Sequence, residues 1–368
     1  MKKNIIAVMF IASILSSCGN NDLRLVVGTY TDGGSEGLYS FSFNQQTGES
    51  AALDSCKAAN PSYLTISRDG RHIYAVSELG SGNAAVHAIS FDRQSGSMTE
   101  INTVLAGGPD PCYISTNGKM VVTANYGGSL SVIRLAKDGS LKGLKSLFNG
   151  STGGPDTLRQ SVPHIHCAVF SPDGKHLYAS DFSADRLLCF DVVKRGKELR
   201  PSTAPDGQQL IAKVSPDYGP RHIVFDRKGR HAYLIGELSG TVTVFDVDNG
   251  VLTPKQTVDA DPYDGRGSAD IHLGPDGKFL YVSNRLKGDG ISVFKVDKAS
   301  GRLSGAGYCE TGRHPRHFNI TPNGRFLLCA CRDENEIQIY SIDKKSGMPA
   351  YTGKSIPLSK PVCVQFVQ

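Results

Sequence analysis

The stretch GPRHIVFDRKGRHAYLIGEL, residues 219–238, has the pattern of two short β-strands joined by a tight turn. Apolar residues dominate both halves, and Gly229 supplies the positive φ that such a turn requires. The ends differ from the middle, because Arg221 and His222 begin the first strand and Glu237 ends the second. The turn lies at one end of the hairpin, so these polar residues are expected to meet at the other end.

The hairpin pattern recurs five more times along the chain. The other copies are SRDGRHIYAV from residue 67, STNGKMVVTA from 115, SPDGKHLYAS from 171, GPDGKFLYVS from 274 and TPNGRFLLCA from 321. The six turn glycines, at 70, 118, 174, 229, 277 and 324, are separated by 48, 56, 55, 48 and 47 residues. A third strand pattern follows each hairpin, as in TVTVFDVD at 241–248, and a weaker fourth one comes next. Four strands in about fifty residues are typical of a β-propeller blade.

A seventh unit is divided between the two ends of the chain. LRLVVGTYT at 23–31 reads as a second strand without its first, and PVCVQFV at 361–367 reads as a first strand without its second. Pairing them would close the ring and remove the open sheet edges. The sequence therefore predicts an all-β fold over residues 23–368, a single seven-bladed β-propeller domain. Each blade has four antiparallel strands, and pairing of the N- and C-terminal strands closes the ring.

The first residues form a targeting segment. A basic MKKN is followed by the apolar IIAVMFIASIL, which is too short to span a bilayer comfortably, and then by LSSC ending at Cys18. Residues 1–17 are predicted to be a lipoprotein signal peptide, Cys18 the lipidated first residue of the mature chain, and 18–22 a short tether. The chain would then be an exported, membrane-anchored lipoprotein of the periplasm or cell envelope. An ordinary cleaved signal with a cysteine there by chance is the alternative.

The composition restricts partners and cofactors. The net charge of +5 is spread over mixed signs without a basic run, so a nucleic-acid partner has little support. Six of the eight cysteines after Cys18 lie in apolar strand patterns, which favours buried free thiols over disulfides or metal ligands. The chain has no Gly-rich phosphate loop, nucleophilic serine elbow or metal-binding histidine motif. No cofactor and no metal are expected, although Asp110 and Asp181 leave a Ca²⁺ or Mg²⁺ open, and the protein is expected to be a monomer.

Counting eight residues from each turn glycine gives two rings of residues at the strand tips away from the turns. The backward count gives Ser62, Asp110, His166, Arg221, Ala269 and Arg316, with Val362 from the divided unit. The forward count gives Glu78, Tyr126, Phe182, Glu237, Arg285 and Arg332, with Tyr30 by alignment. Rotational symmetry places both rings at one end of the central channel, named here the mouth. Arginine replaces lysine in both rings, and its planar fork binds carboxylates and phosphates. A solvated rim whose charges pair across blades is the alternative.

Four stretches resemble the lactonase family of seven-bladed propellers, which includes bacterial propeller-type 6-phosphogluconolactonases and fungal carboxymuconate-lactonising enzymes. They are PHIHCAVFSPDGKHLYASD at 163–181, the opening stretch at 219–238, SADIHLGPDGKFLYVSNR at 268–285 and HPRHFNITPNGRFL at 314–327. The resemblance covers the whole chain after the signal. It implies that His166, Arg221, Glu237 and Arg285 are catalytic.

Opening a lactone requires an activated water and a cradle for the tetrahedral oxyanion. His166 or Glu237 could be the base, Arg221 and Arg285 could hold the oxyanion or an acidic group, and Glu237 could instead orient an arginine. The residues expected to bind substrate are His164, Arg316, Arg332, Glu78, Tyr126 and Asp181. His222 and His317 are expected to make hydrogen bonds between blades. His72, His176 and His231 lie just after the turns and are expected to face solvent.

The expected function is hydrolysis of a small sugar or carboxylated lactone at the mouth, as in a 6-phosphogluconolactonase. The alternatives are a lactonising cycloisomerase of the carboxymuconate type and a non-enzymatic, lipid-anchored binding or scaffold protein. An export signal departs from the cytoplasmic phosphogluconolactonases, which bears on the substrate more than on the reaction. The segments 149–163 and 200–220 account for the two long separations and are predicted to cover the mouth.

Overall fold

The computed structural model describes residues 22–367, which form seven antiparallel sheets arranged as the blades of a propeller. The chain opens with β1 (Asp22–Thr29), β2 (Gly37–Asn44) and β3 (Ser50–Lys57). Blade 1 contains β4 (Leu64–Ile66), β5 (His72–Ser77), β6 (Ala85–Phe91) and β7 (Met98–Leu105). Blade 2 contains β8 (Pro111–Thr116), β9 (Met120–Asn125), β10 (Ser129–Leu135) and β11 (Leu141–Asn149). Blade 3 contains β12 (Ile165–Phe170), β13 (His176–Asp181), β14 (Arg186–Val193), β15 (Glu198–Pro201) and β16 (Ile211–Lys213).

The second half of the chain repeats this plan. Blade 4 contains β17 (Pro220–Phe225), β18 (His231–Gly236), β19 (Thr241–Asp248) and β20 (Val251–Asp259). Blade 5 contains β21 (Ile271–Leu273), β22 (Phe279–Asn284), β23 (Gly290–Val296) and β24 (Leu303–Glu310). Blade 6 contains β25 (Pro315–Ile320), β26 (Phe326–Cys331), β27 (Glu336–Ile342) and β28 (Pro349–Pro357). The last strand is β29 (Pro361–Val367), and two single-turn 3₁₀ helices lie at Phe182–Ala184 and Arg332–Glu334.

Blade 7 joins the two ends of the chain. Its strand order is β29-β1-β2-β3, and β29 pairs antiparallel with β1, with Arg24 opposite Val367 and Gly28 opposite Cys363. This pairing confirms the predicted closure and the predicted seven blades of four strands. The ring therefore has no open edge at the junction. Within residues 22–367, no helix has the length and hydropathy needed to cross a membrane.

The repeated hairpin residues explain how blades attach to one another. All six turn glycines have positive φ, as the turn pattern predicts. In three blades a tyrosine hydroxyl donates a hydrogen bond to the carbonyl of a glycine between the third and fourth strands of the next blade: Tyr74 to Gly139, Tyr233 to Gly301 and Tyr281 to Gly347, at 2.9–3.0 Å. Between blades 3 and 4, Leu187 packs with the buried Leu234 and Phe245. Apolar packing and these hydrogen bonds thus hold neighbouring blades together.

Of two expectations from the sequence about burial, the one for the cysteines is confirmed and the one for His231 is wrong. The eight cysteines among the described residues are free thiols, and the six in apolar patterns are buried. His231, expected to face solvent, is buried instead, and its Nδ1 lies 3.1 Å from Asp246 Oδ1. Gly301 of the next blade packs against this ring, so the turn end of the hairpin is covered there.

The two long segments have different places in the fold. Residues 150–163, named here the cap loop, connect blade 2 to blade 3 at the mouth. The prediction that 200–220 also covers the mouth is wrong for most of that segment. Its residues form β15 and β16, which both pair with β14 as two pieces of an interrupted outer strand, with 202–210 leaving the sheet between them. Only residues 214–219 return to the mouth, where Asp185 accepts hydrogen bonds from the backbone N–H groups of Asp217 and Gly219.

Candidate active site

β-Bulges shape the mouth ends of the innermost strands. The register between the two hairpin strands shifts at Cys112 in blade 2, at His166 in blade 3, at Arg221 in blade 4 and at Arg316 in blade 6. A bulge inserts one extra residue and re-aims a side chain, which is why bulges are frequent beside active sites. All four of these side chains line one cavity, so the bulges direct them to a common point.

The cavity at the mouth has a volume of about 170 Å³. Its lining residues are Tyr30, Glu78, Cys112, Tyr126, Arg159, His166, Arg221, Glu237, Arg285 and Arg316. The four residues predicted to be catalytic are therefore brought together, as are three of the six predicted to bind substrate. Four guanidinium groups face only two carboxylates, which gives the cavity an excess of positive charge.

Glu237 organises one half of the cavity through three arginines. Its Oε2 accepts a hydrogen bond from Arg221 Nε at 2.9 Å, and its Oε1 accepts one from Arg159 Nη2 at 2.8 Å. Arg285 Nη2 lies 3.5 Å from the same Oε1. Burial opposes ionisation of Glu237, but these three arginines outweigh it and lower its pKa to about 2. A carboxylate held this way orients arginines and is a poor proton acceptor at neutral pH.

The other half of the cavity is a cluster of Tyr30, Glu78 and Arg316. The Tyr30 hydroxyl donates to the Glu78 carboxylate at 3.1 Å, and Arg316 Nη2 lies 3.7 Å from Glu78 Oε2. The Arg316 guanidinium also lies over the Tyr30 ring, 5.3 Å from its centroid. Arg316 therefore keeps a fixed position with its charge beside the cavity.

His166 is a buried histidine that lines the cavity. Burial, together with Arg221, His222, Arg316 and Arg285, lowers its pKa well below the ordinary histidine value. Its Nδ1 is buried without a hydrogen-bond partner among residues 22–367, which leaves Nε2 as the ring nitrogen accessible from the cavity. A neutral imidazole with an accessible nitrogen can accept a proton.

Three residues predicted to bind substrate do not line the cavity. Arg332 donates to its neighbour Asp333 from Nε and Nη2, at 2.6 and 3.0 Å, and stays at the rim. The fully buried Asp181 accepts from Arg186 Nε at 2.9 Å and from the Ser151 amide, so it anchors the start of the cap loop. His164 stacks on Tyr126 at a centroid distance of 3.9 Å and supports that ring from behind.

The ring position assigned to Asp110 belongs to Cys112. In the other hairpins the last paired residues are seven apart, as for Ile66 and Ile73, but in blade 2 Thr116 pairs with Val121. The turn of blade 2 is thus two residues shorter before its glycine, so a count of eight residues overshoots by two. The forward count is unaffected, and Tyr126 lies in the cavity as predicted.

Arg159 is, with Cys112, one of the two lining residues that sequence reasoning missed. It belongs to the cap loop rather than to a blade, and its guanidinium lies 5.5 Å from the centroid of the Phe182 ring. The loop is fixed by Gln160, which donates to Asp185 Oδ1 at 2.8 Å, and by Arg266, which donates to Asp156 Oδ2 at 2.7 Å. The prediction that 149–163 narrows the mouth is therefore confirmed by this residue.

Below the cavity, aromatic rings and histidines fill the channel. Tyr63 and Tyr113 stack at 4.2 Å, and His222 and His317 pack edge-on against Tyr63. The predicted hydrogen bonds between blades are confirmed: His222 Nδ1 lies 2.8 Å from Asp270 Oδ1, and His317 Nδ1 accepts from Val364 N–H at 3.3 Å.

Asp270, His272 and His317 are the described residues whose ligand atoms lie close enough to hold a metal ion. Their hydrogen bonds do not fit a ligand set. His317 Nδ1 accepts a backbone N–H, so the proton of the neutral ring is on Nε2, the nitrogen that faces Asp270. Asp270 also accepts from the amides of Ile271 and Phe318. The cluster is a buried carboxylate satisfied by hydrogen-bond donors.

Comparison with known proteins agrees with this geometry. Residues 24–366 match the family model described as Lactonase, 7-bladed beta-propeller. The chain is 34% identical over 354 residues to the 6-phosphogluconolactonase of Bacillus subtilis, covering 93% of this chain and 97% of that protein. A solved structure from Bacteroides uniformis is 50% identical, with a TM-score of 0.92, covering 94% of this chain and 100% of the other.

A second solved structure is that of a gluconolactonase. The periplasmic gluconolactonase PpgL of Pseudomonas aeruginosa is 33% identical, with a TM-score of 0.88, covering 94% of this chain and 99% of that one. The family model spans the seven blades and every lining residue of the cavity. The chain belongs to the lactonase family of seven-bladed β-propellers.

Proposed function

We propose that the protein hydrolyses the lactone of a sugar acid that carries an anionic group, at the cavity in the mouth. One observation carries the proposal: an accessible neutral histidine, His166, shares a small cavity with Arg221 and Arg285, whose guanidinium groups are fixed by Glu237. These are the two parts that lactone opening requires, a base for water and fixed positive donors for the oxyanion.

The reaction follows from these roles. His166 Nε2 takes a proton from a water as the water oxygen attacks the lactone carbonyl carbon. The carbonyl oxygen becomes an oxyanion that Arg221 and Arg285 stabilise, and it re-forms the carbonyl as the ring C–O bond breaks. The protonated His166 gives its proton to the departing ring oxygen, which leaves a hydroxy acid. Glu237 takes no proton in this scheme, because its lowered pKa keeps it ionised as the partner of the arginines.

The charge balance favours an anionic substrate. Arg159 and Arg316 are additional cations beside the reacting pair, and two carboxylates cannot neutralise four guanidinium groups. Arginine binds phosphate and carboxylate through paired hydrogen bonds. The volume of about 170 Å³ lies below the range of roughly 300–1,000 Å³ common for drug-sized ligands, which suits a single sugar ring.

The test measures the hydrolysis of three lactones by purified protein that comprises residues 19–368. Acid release is followed at constant pH for glucono-δ-lactone, its 6-phosphate and a glucaric acid lactone, each corrected for spontaneous opening. We expect kcat/KM to be highest for the phosphorylated or carboxylated compound, and Arg221→Ala to lower kcat by about 10²-fold or more. Arg313→Ala, an exposed arginine paired with Glu334, is the control and should retain wild-type activity. No hydrolysis of any of the three would refute the proposal and favour a binding protein.

We also propose that the protein is an exported lipoprotein with Cys18 as its lipidated N-terminus, and that it acts as a monomer. Residues 1–21 lie outside the described residues, so the support is the sequence MKKN, the apolar stretch and LSSC. Cys18→Ala should abolish lipid labelling and release the protein from membranes. Unchanged membrane retention and processing would refute the anchor, and a dimer in detergent by light scattering would refute the monomer.

A further inference from the structure

Each of the two arginines assigned to the oxyanion has a histidine next to its Nη1 nitrogen. Arg221 Nη1 lies 3.3 Å from His222 Nε2, and Arg285 Nη1 lies 3.2 Å from His314 Nε2. Arg221 Nη1 also donates to the Ala269 carbonyl at 2.6 Å, and Arg285 Nε donates to the Gly267 carbonyl at 2.7 Å. All of these contacts are buried.

Each of these histidines faces an aspartate with its other nitrogen. His222 Nδ1 is 2.8 Å from Asp270 Oδ1, and His314 Nδ1 is 3.6 Å from Asp333 Oδ2. Burial and nearby arginines lower the pKa of His222 to about 4 and that of His314 to about 3, so both rings are neutral at neutral pH. A proton on Nδ1, facing the aspartate, leaves the Nε2 lone pair free to accept from the arginine.

We infer that the His222–Asp270 pair positions Arg221, and that the His314–Asp333 pair positions Arg285 in the same way. The inference rests on the proposed function, because it concerns the arginines that stabilise the oxyanion. In Arg221, Nε donates to Glu237 and Nη1 faces His222, so Nη2 is the nitrogen without a partner among residues 22–367. In Arg285, Nε and Nη1 are likewise held, and Nη2 lies 3.5 Å from Glu237. Each pair thus fixes the fork of its guanidinium, with Nη2 of Arg221 left to the substrate and Nη2 of Arg285 directed at the cavity beside Glu237.

The pairs differ in strength, which gives a graded expectation. Asp270 is buried and within hydrogen-bond distance of His222, whereas the Asp333 side chain is 40% exposed and its contact with His314 is longer. Asp333 also accepts from Arg332. Disturbing the His222 pair should therefore lower turnover more than disturbing the His314 pair.

A double-mutant cycle tests the positioning role. His222→Leu keeps the bulk but removes the acceptor, and should lower kcat about tenfold or more with little change in KM, because the loss falls on the transition state. His222→Gln, whose amide can still accept and donate, should restore kcat to within about threefold of wild type. In an Arg221→Ala background, His222→Leu should add less than a twofold loss, because its effect passes through Arg221.

His231→Leu is the matched control. It removes a buried histidine with the same contact to an aspartate, at the far end of a hairpin, so kcat should be unchanged. Unfolding midpoints are measured for all variants. If His222→Leu does not fold, Asp333→Asn at the exposed pair carries the test: it should lower kcat alone but not in an Arg285→Ala background.

The outcomes separate this inference from the proposed function. Multiplicative losses in either cycle, or failure of His222→Gln to recover activity when it folds normally, would overturn the positioning role alone. Wild-type turnover in Arg221→Ala would overturn the oxyanion assignment and the positioning role with it.

Discussion

Replacing Glu237 with glutamine tests whether one buried carboxylate holds the cavity together. The change preserves shape and removes the charge that three arginines share. Breaking a buried ion pair by removing one partner leaves uncompensated charge. Glu237→Gln should therefore lower both the free energy of unfolding and kcat, since Arg221 and Arg285 lose their common anchor.

The size of the stability loss follows from the pKa. In the folded protein the pKa of Glu237 is lowered from 4.5 to about 2, and each unit corresponds to about 1.4 kcal/mol. The ionised carboxylate thus contributes about 3 kcal/mol, in line with the ~3–5 kcal/mol cost of breaking buried pairs. Because the folded pKa is the lower one, this stabilisation is complete well above pH 4.5 and is lost as the pH falls towards 2. At pH 3 less than half of it should remain.

The assay is urea unfolding of wild type and Glu237→Gln at pH 7 and at pH 3, with reversibility checked at each pH. The difference in unfolding free energy should be about 3 kcal/mol at pH 7 and less than half of that at pH 3. Glu334→Gln removes a carboxylate from an exposed pair with Arg313 and should unfold like the wild type. A difference that is equal at both pH values, or no larger than that of the control, would refute the reasoning.

Three further predictions concern the cap loop, the base and the ring closure. Arg159→Ala should raise KM for an anionic lactone about tenfold, because one charge-assisted hydrogen bond is lost, and should change KM for a neutral lactone little. An equal rise in KM for both lactones would contradict a role of Arg159 in charge recognition. Because burial and nearby arginines lower the pKa of His166, kcat/KM should stay level from pH 8 to 6.5 and fall only below pH 6.5. A midpoint of this fall in kcat/KM at or above pH 6.5 would exclude His166 as the base. Deleting residues 361–368 removes five buried apolar side chains of β29 (Val362, Cys363, Val364, Phe366 and Val367), whose burial is worth on the order of 10 kcal/mol. The soluble fraction and the thermal midpoint of unfolding should therefore both fall sharply. A soluble, cooperatively unfolding product would contradict the closure argument.

The fold could be predicted from the sequence because the hairpin pattern is local and repeated. A turn glycine with positive φ, apolar alternation on both sides and a spacing of about fifty residues together define a blade. Closure of the ring followed from two unpaired strand patterns at the ends. The outer part of blade 3 could not be anticipated, because the Pro- and Gly-containing insertion after Pro201 interrupts a strand whose pairing depends on its neighbour β14.

The lining residues that could be predicted from the sequence are those whose positions depend on strand register. His166 and Arg221 lie in one ring of strand tips and Glu237 and Arg285 in the other, so the two counts placed all four at the mouth. The count failed at Asp110, because turn length differs in blade 2, and it missed Arg159, because a loop residue has no register. Arg332 is at a counted tip and Asp181 directly precedes one, but they bind neighbouring groups, Asp333 and Arg186, which a count cannot reveal.

The excess of positive charge links the architecture to the chemistry. Burial lowers the pKa of Arg285, an effect that Arg221, Arg316 and Arg332 reinforce and Glu237 opposes, so the protonated Arg285 is held in the cavity at a cost in free energy. Apolar packing between blades offsets that cost, because it fixes the strands that carry the arginines. A bound anion would relieve the repulsion, and in the proposed reaction the oxyanion would place a further negative charge beside Arg221 and Arg285. The same relief would raise the pKa of His166, since arginines help to lower it, and would make it a stronger base when substrate is bound.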